Sequence, residues 1–336
     1  MKKELSRIAL VRLSALGDIV NTAIVLQFIR AFYPHAKIDW ITEEAFAPLL
    51  EQHPLLDRVH TLNLKKLKKE KSFSLLKESI NKLRNLGEYD IIIDMQGLLK
   101  SAIVARLIGK NTHGFDKNSS REPLSALFYK TSSSIPYDAN IVVRNTFLVA
   151  DALGFEVTPE MLKNKQPIFP VEANLSLTLG NDKKNIALVI GASWESKKYP
   201  KEQIAALCNL LEQHCYIIWG GDKEKEDAEW ICAQSPHAIL APKLTLSELV
   251  SFIAQTDLLI GNDTGPTHMA WAQNIPSITL FGPTNTRMIY ETPKNIGIKS
   301  PSKVDIFHID KNDFSIREIP VETIAAKAKE LLGNGI

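Results

Sequence analysis

Short apolar runs alternate with helix-like patterns along most of this chain, and that rhythm constrains its fold more than any other feature. The first half predicts strands and helices in turn: strands at 8–13, 37–42, 58–62 and 89–94, and helices at 19–33, 75–86, 101–108 and 142–153. The second half repeats the rhythm, with strands at 185–190, 215–219, 257–260 and 277–281 and helices at 201–212, 223–233, 247–254 and 266–272. Such alternation is typical of α/β domains whose helices cover mostly parallel sheets.

A polar stretch containing several prolines separates the two halves. It includes Pro159, Pro167, Pro170 and the polar run 180–184. We predict one domain over 1–165, a linker over 166–184, a second domain over 185–318, and a last helix within 319–336 that packs back on the first half. A length of 336 residues suits two domains. Two similar halves predict a substrate site in a cleft between them.

Composition excludes several classes of protein. The net charge is only +2, from 40 basic and 38 acidic residues, so nothing in the whole-chain charge indicates nucleic-acid binding. The three cysteines have no metal-ligand spacing and are expected to be reduced thiols in the cytosol. No segment approaches the roughly 20 apolar residues of a membrane span, and the N-terminus does not read as a signal peptide.

Asp18 follows the first predicted strand through a Ser-Ala-Leu-Gly turn and stands where a helix begins. Ligands of α/β domains bind at the carboxyl ends of strands, and a helix N-terminus favours an ionised carboxylate. Asp18 is therefore a candidate general base. The alternative is that it only caps the helix, since Asp is a preferred N-cap.

A second candidate site follows the strand at 257–260. The chain continues Gly-Asn-Asp-Thr-Gly-Pro-Thr-His, and Pro266 suits the first turn of a helix. The free amides there, with the hydroxyls of Thr264 and Thr267 and with His268, predict a pocket for a diphosphate. The alternative is a capped helix with a packed histidine. A further glycine turn at 281–284 follows the next strand and favours the pocket.

Two other turns of the second half contain residues suited to a nucleotide. Lys197 or Lys198 follows the first strand of that half, where an ammonium group can neutralise a departing diphosphate. Glu224 or Asp222 follows the next strand, where an acidic residue often binds ribose hydroxyls. The alternatives are an ordinary surface lysine and an acid that complements a helix dipole.

Five lysines lie close together between residues 65 and 71, and Arg121 with Lys117 could extend their charge. A charge run is most often a solvated face. The alternative is a surface for a polyanionic acceptor or for anionic lipid headgroups.

Several motifs are absent from the sequence. It has no Walker A loop, no GxGxxG after the first strand, no HExxH and no GxSxG. These absences disfavour P-loop kinases, dinucleotide dehydrogenases, zincins and α/β-hydrolases. There is also no Asp-x-Asp motif for a metal on a nucleotide diphosphate.

Five blocks in order give the chain a resemblance to the bacterial lipopolysaccharide heptosyltransferases, glycosyltransferase family 9. They are the Ser-x-x-Gly-Asp turn at 14–18, Asp-Met-Gln-Gly-Leu-Leu-Lys-Ser at 94–101, Arg-Glu-Pro-Leu-Ser-Ala-Leu-Phe-Tyr at 121–129, Asp-Thr-Gly-Pro-Thr-His at 263–268 and Phe-Gly-Pro-Thr at 281–284. The second and third blocks look like the type I enzymes, which add the first heptose. The turn at 191–200 looks partly like type II enzymes, and the proline that often follows the family's Gly-Asp motif is missing.

The resemblance implies a GT-B fold, in which two Rossmann-like domains face a cleft, and an inverting transfer from ADP-L-glycero-D-manno-heptose to the Kdo of Kdo-lipid A. It implies no cofactor and no metal for nucleotide binding. It also implies roles for single residues: Asp18 as the catalytic base, a donor site of Ser193, Lys197, Glu224, Asp263, Thr264, Gly265 and His268, and an acceptor surface of Lys65, Lys68, Lys69 and Arg121.

The resemblance further implies a cytoplasmic enzyme in peripheral contact with the inner face of the inner membrane. Three other functions stay open on the sequence. They are a type II enzyme that adds a later heptose, a nucleotide-sugar epimerase, and a non-catalytic nucleotide-sugar binder on the same fold.

Overall fold

The computed structural model describes residues 5–171 and 177–333. The chain divides into two compact units, 1–168 and 169–336. This division falls inside the segment for which the sequence predicts a linker.

The first unit is built on a parallel six-stranded sheet with the order β3-β2-β1-β4-β5-β6. Its strands are β1 Arg7–Val11, β2 Lys37–Glu43, β3 Arg58–Leu62, β4 Ile91–Asp94, β5 Thr112–Phe115 and β6 Thr131–Ser133. Its helices are α1 Leu16–Ala23, α2 Val25–Phe32, α3 Leu64–Glu70, α4 Phe73–Arg84, α5 Leu99–Ile108, α6 Ile141–Leu153 and α7 Pro159–Lys163. Short 3₁₀ turns lie at Glu44–Leu49 and Pro123–Phe128.

The second unit repeats this plan, with the order β9-β8-β7-β10-β11-β12. Its strands are β7 Asn185–Val189, β8 His214–Ile218, β9 Ala238–Leu240, β10 Leu258–Asn262, β11 Ser277–Phe281 and β12 Asn295–Lys299. Its helices are α8 Lys201–Leu211, α9 Asp222–Gln234, α10 Leu246–Ile253, α11 Gly265–Ala272 and α12 Val321–Leu331. Short 3₁₀ turns lie at Glu195–Lys197, Thr286–Met288 and Ser315–Glu318.

The central strands of both sheets are apolar because helices cover them on both faces. The side chains of Ile8, Leu10 and Val11 in β1 are fully buried, as are those of Ile186 and Leu188 in β7. Strands buried on both faces read as continuous apolar runs, and this is why the sequence predicts them well. The predicted α/β class is confirmed.

The predicted elements differ from the observed ones where a segment is short or polar. The strands β5, β6, β9 and β12 were not predicted. β5, β6 and β12 include Gly, Ser, His or Asn, and β9 has only three residues. The helix predicted at 19–33 is two helices, α1 and α2, that meet at Ile24. The lysine-rich segment, which was not predicted to be helical, forms α3.

The last helix, α12, packs within the second unit, mainly against α8. That it also packs back on the first half stays a prediction. Val321, Ile324, Ala325 and Ala328 form one apolar stripe and are buried in the core cluster of that unit. Their spacing matches the helical period, so the stripe faces a single neighbour.

Along residues 5–171 and 177–333, every helix is too short or too polar to cross a membrane.

Candidate active site

In each sheet the strand order reverses at one place, and candidate residues follow the strands that meet there. In the first unit β1 lies between β2 and β4, and the chain leaves β1 in one direction and returns on the other side through β4. In the second unit β7 and β10 have the same relation. Open α/β sheets bind ligands beyond the carboxyl ends of the two strands at this switch point. Asp18 follows β1, and Lys197 and Asp263 follow β7 and β10.

Asp18 lies in the first turn of α1, with one carboxylate oxygen engaged and part of the group open to solvent. Its Oδ1 is 2.9 Å from Nη2 of Arg12, and its side chain is 28% exposed, against 6% for Arg12. Oδ2 accepts a hydrogen bond of 3.4 Å from the amide of Ala15. The helix N-cap is Ala15, so Asp18 is the third helical residue and not the cap that the alternative interpretation assumed. Its carboxylate still accepts a hydrogen bond from the amide of the N-cap residue, while part of the group stays accessible to solvent.

Arg12 is the residue that the sequence analysis missed at this site. It is buried, and its Nη1 donates to the carbonyl of Met95 just beyond β4. Its own carbonyl accepts a 3.2 Å hydrogen bond from the indole of Trp40 on β2. The guanidinium is therefore fixed between neighbouring strands and holds Asp18 in place. In the sequence Arg12 only interrupts an apolar run, and the pairing of β1 with β4 is what gives it a function.

The turn after β4 is organised by a buried carboxylate. Asp94 accepts hydrogen bonds from the hydroxyls of Ser101, at 2.8 Å, and Tyr129, at 2.7 Å, and from the amide of Gln96, at 2.8 Å. Burial raises the pKa of Asp94 despite these donors. Gly97 in the same turn has φ of +67°, a conformation that favours glycine. This network joins the second and third of the blocks that gave the family resemblance.

Lys100 brings a cation to the same switch point. Its Nζ lies 3.0 Å from the hydroxyl of Ser14 and 3.5 Å from Oε1 of Glu43. Ser14 belongs to the turn that leads to Asp18, and Glu43 is the last residue of β2. Lys100 is a further residue that sequence reasoning did not place at the site, although the block at 94–101 contains it.

In the second unit, the side chains of three residues converge on Asp263 at the end of β10. Nζ of Lys197 is 2.8 Å from Oδ2 of Asp263, and the hydroxyl of Thr284 donates to the same oxygen at 2.7 Å. Nε2 of His268 lies 3.2 Å from Oδ1. The other imidazole nitrogen, Nδ1, is buried with no hydrogen-bond partner among the described residues. Thr284 was not among the predicted site residues, although the glycine turn that contains it was singled out.

The charge of Asp263 is stabilised by its neighbours. Burial by itself would raise the pKa of this carboxyl, but the ammonium of Lys197 and the hydrogen bond from His268 outweigh burial and hold the pKa well below its usual range. Asp263 is therefore a buried anion whose function is to fix the cation beside it.

Asn262 links the two strand ends on which these residues stand. Its side-chain amide donates to the carbonyl of Ile190 at 2.9 Å, and its Oδ1 accepts from the amide of Tyr199 at 3.0 Å. Both partners flank the turn that contains Lys197. This residue, too, was missed, because a buried Asn at a strand end shows its partners only once the neighbouring strand is known.

The start of α11 leaves backbone donors available. Within the part of the chain that the structure describes, the amides of Thr264 and Gly265 donate to no other group, and Gly265 is followed by Pro266, which has no N–H. Such amides favour an anion. The hydroxyl of Thr267 was predicted to join them, but it donates to the carbonyl of Asn262 at 2.7 Å and is engaged in the fold.

Glu224 folds back over the glycines at the ends of β7 and β8. Its Oε2 accepts a 2.8 Å hydrogen bond from the amide of Gly220, and a Cβ placed on Gly191 would lie 2.5 Å from Oε1. It lines a cavity of about 510 Å³, together with Lys198, Lys223 and other residues. Lys197 and Asp263 do not line this cavity. Asp222, the alternative to Glu224, is exposed at the start of α9.

The two lysines of the turn after β7 differ in their surroundings. Lys197 is buried against Asp263, whereas Lys198 pairs with Oε1 of Glu195 at 2.9 Å. Lys223 also lies near that carboxylate, and the two lysines lower the pKa of Glu195. Ser193, also predicted at the donor site, is exposed at the beginning of this turn.

The predicted acceptor residues flank the first switch point without contacting one another. Lys65, Lys68 and Lys69 are exposed on α3, which follows β3, two strands from β1 and so about 10 Å to one side. Arg121 is exposed beyond β5, on the other side of β4. All these strands are parallel, so their carboxyl ends share one edge of the sheet.

Over the described ranges, His, Cys, Asp and Glu side chains nowhere form a group of three that could hold a metal ion.

Comparison with known proteins gives a consistent result. The model of glycosyltransferase family 9 (heptosyltransferase) matches residues 79–301. Lipopolysaccharide heptosyltransferase 1 of Campylobacter coli is 39% identical over 98% of this chain and 99% of its own length. Lipopolysaccharide heptosyltransferase 1 of Escherichia coli K12 is 29% identical over 86% of this chain and 92% of its own.

The fold has a solved counterpart. The E. coli heptosyltransferase WaaC with ADP has a TM-score of 0.80 at 24% identity, covering 97% of this chain and 99% of that one. The likeness confirms the predicted GT-B fold, and the relatives confirm the predicted resemblance to the type I enzymes. The matched model spans well over half of the sequence and a relative is similar over its whole length, so the chain belongs to glycosyltransferase family 9, the heptosyltransferases, and is a glycosyltransferase.

Proposed function

We propose that this enzyme moves L-glycero-D-manno-heptose from ADP-heptose to the Kdo of Kdo-lipid A, with inversion at the anomeric carbon. The observation that supports it most directly is the content of the two switch points. One presents a carboxylate held by a buried arginine, and the other presents an ammonium held by a buried aspartate. A base and a cation for a leaving diphosphate are the two groups that a single displacement of ADP by an alcohol needs.

Asp18 acts as the base in this proposal. It takes the proton from a Kdo hydroxyl as the hydroxyl oxygen attacks the anomeric carbon and the bond to ADP breaks. Arg12 engages one carboxylate oxygen at 2.9 Å and orients the other. The transition state resembles an oxocarbenium ion, so positioning and electrostatics supply most of the rate enhancement.

The second unit binds the donor in this proposal. Lys197 and the amides of Thr264 and Gly265 meet the charge that develops on ADP, and Glu224 accepts hydrogen bonds from the ribose. His268 offers its unpartnered Nδ1 to the donor. Because Asp263 and Thr284 already fix their neighbours, little reorganisation is needed when the charge moves. Ser193 completes the donor site at the exposed end of the same turn.

The acceptor is recognised by its negative charge. Kdo carboxylates and lipid A phosphates are anionic, and Lys65, Lys68, Lys69 and Arg121 lie on both sides of Asp18 at one sheet edge. Lys100 adds a cation beside the turn that leads to Asp18. A lipid-linked acceptor places the enzyme on the cytoplasmic face of the inner membrane as a peripheral protein.

One assay separates this function from the alternatives. The enzyme is incubated with ADP-heptose and either Kdo-lipid A or the same acceptor already carrying one heptose. Heptosylated Kdo with free ADP, and no faster reaction of the second acceptor, supports the proposal; preference for the second acceptor indicates the type II reaction. Isomerised donor indicates an epimerase, and donor binding without turnover indicates a binding protein. The anomeric configuration of the product, read by NMR, tests inversion.

A further inference from the structure

The edge of the first unit that presents Asp18 also presents large apolar side chains. Phe73 is 80% exposed and Leu76 is 45% exposed, and both lie in the first turn of α4. They are separated by three positions and so share one face of the helix. Leu124 and Leu127, in the 3₁₀ turn Pro123–Phe128, form a second exposed pair with the same spacing.

Helix α3 gives this apolar face a cationic border. The helix has no buried residue, and its lysines point away from the core while Leu64 packs against the core cluster of the first unit. Among the described residues, the ammonium groups of Lys65, Lys66, Lys68 and Lys69 make no ion pair. Only Lys71 and Ser72 separate this helix from Phe73. Cationic and apolar groups are therefore neighbours on one short stretch of chain.

Phe73 and Leu76 lie toward the carboxyl edge of the sheet, whereas Leu124 and Leu127 stand on a turn that runs back to the start of β5, where the carbonyl of Phe128 accepts a 2.9 Å hydrogen bond from the hydroxyl of Thr112. Helix α4 begins where α3 ends, after the carboxyl end of β3. The 3₁₀ turn follows β5, and Glu122 just before it accepts a 2.7 Å hydrogen bond from the amide of Leu99 at the start of α5. The starts of α4 and α5 thus belong to the same end of the unit as Asp18, together with the beginning of the turn at Glu122.

We propose that Phe73 and Leu76, bordered by the lysines of α3, form a membrane-docking surface that enters the headgroup region of an anionic phospholipid bilayer. Lysine is depleted at protein–protein interfaces, whereas lysines beside exposed aromatic and aliphatic side chains match a surface of anionic headgroups over acyl chains. The lysines attract the bilayer, and the apolar pair anchors the enzyme with Asp18 turned toward it. The inference deepens the proposed function by explaining how an enzyme meets a lipid-linked acceptor, and its test needs no heptose transfer.

The test measures binding of the full chain to vesicles that contain no lipid A. Vesicles of phosphatidylcholine alone are compared with vesicles containing about one-third phosphatidylglycerol, by co-flotation. The parent is expected to bind the anionic vesicles and not the neutral ones. Phe73→Ser with Leu76→Ser should lower the partition coefficient roughly tenfold or more. The matched control is Phe307→Ser, at an aromatic side chain that is 63% exposed in the second unit, and it should bind as the parent does.

A direct readout comes from Phe73→Trp. Its fluorescence should shift to the blue with anionic vesicles and be quenched by brominated acyl chains. Failure of the parent to bind, loss of binding in Lys65→Gln with Lys68→Gln and Lys69→Gln but not in the Phe73 and Leu76 variant, or equal loss in the Phe307 control would each overturn the proposal. Concentration-dependent self-association in the absence of vesicles that disappears in the Phe73 and Leu76 variant would mark a protein interface instead.

Activity distinguishes this inference from the proposed function. With a deacylated Kdo acceptor and no vesicles, the Phe73 and Leu76 variant should transfer heptose at the parental rate. If the parent transfers no heptose but binds anionic vesicles through Phe73, the function is wrong and the docking surface stands. If the parent transfers heptose but does not bind vesicles, the proposed function stands and the docking surface is wrong.

Discussion

The two units have the same strand order, yet their switch points contain opposite arrangements of charge. At the first, the cation is the buried member, since Arg12 is 6% exposed and Asp18 is 28% exposed. At the second, the carboxylate is the more buried member, at 4% for Asp263 against 11% for Lys197. In each pair the more exposed member is the one that we propose acts on the substrates, and the more buried member positions it.

This difference teaches that one topology can present either sign of charge at the same structural position. What changes is which strand end provides the fixed member of the pair. In the first unit the fixed member is Arg12, which directly follows β1 and is held by the turn after β4. In the second unit it is Asp263, which directly follows β10 and is held by Thr284 after β11. The strand order selects the place, and the residues at the strand ends select the chemistry.

The largest expected effect tests the exposed carboxylate of the first pair. Asp18→Asn should lower kcat by about 10²–10⁴, as is typical when a general base is lost. The fold should persist because the side-chain oxygen of Asn can still accept from Arg12, so that only the 3.4 Å hydrogen bond from the amide of Ala15 is lost. Near-parental kcat, in a variant shown by calorimetry to bind ADP and acceptor, would remove Asp18 from its assigned role.

The cation of the second pair is tested next. Lys197→Ala should lower kcat/KM by roughly 10²–10³, comparable to the loss of one preorganised group that stabilises developing charge. Lys198→Ala is the matched control and should cost much less, because Lys198 pairs with Glu195 and not with Asp263. The reverse order in steady-state kinetics would transfer the role to Lys198.

Stability measurements test whether Asp263 is the buried charge that positions Lys197. Asp263→Asn leaves a buried ammonium without its partner and should cost about 3 kcal/mol of unfolding free energy at pH 7, seen as a lower Tm. The pKa of Asp263 is lowered in the folded state, so its stabilisation is present above the unfolded pKa of about 4 and is lost as pH falls further. The Tm gap between parent and variant should therefore narrow below pH 4. A gap that is constant with pH would contradict the buried ion pair.

A smaller effect is expected from the surface that flanks the first pair. Lys65→Gln, Lys68→Gln and Lys69→Gln together should raise the KM for Kdo-lipid A about three- to tenfold at low salt, with the KM for ADP-heptose little changed. Three charges are removed while helix propensity is almost retained, and the defect should shrink as salt screens the parent. Kinetics identical to the parent at low salt would make the cluster a solvated face only.

Removal of metal ions is expected to have no effect on activity. Transfer should continue in EDTA, since Lys197 and the amides at the start of α11 are proposed to meet the leaving charge. Loss of activity that returns with magnesium or manganese would show that the second pair is insufficient for the diphosphate.

The sequence predicts those parts of the molecule whose signal is local. Buried strands are continuous apolar runs, and Asp18 and Asp263 stand out because each follows one. Helix α3 was missed because only Leu64 and Leu67 interrupt its lysines, and β6 was missed because Thr131–Ser133 has no apolar residue. Arg12, Asn262 and Thr284 gain their functions from pairings between strands that are far apart in sequence. No local pattern contains that information.

Gly191 lies against the carboxylate of Glu224. A substitution at position 191 can therefore displace Glu224 without disturbing the fold. A methyl group there would stand 2.5–2.7 Å from the end of a flexible side chain, which can move aside at little cost to the backbone. The strands around it would keep their places while the proposed ribose ligand lost its position. We therefore expect Gly191→Ala to give a folded enzyme that binds its donor poorly, in which acceptor recognition can be studied alone.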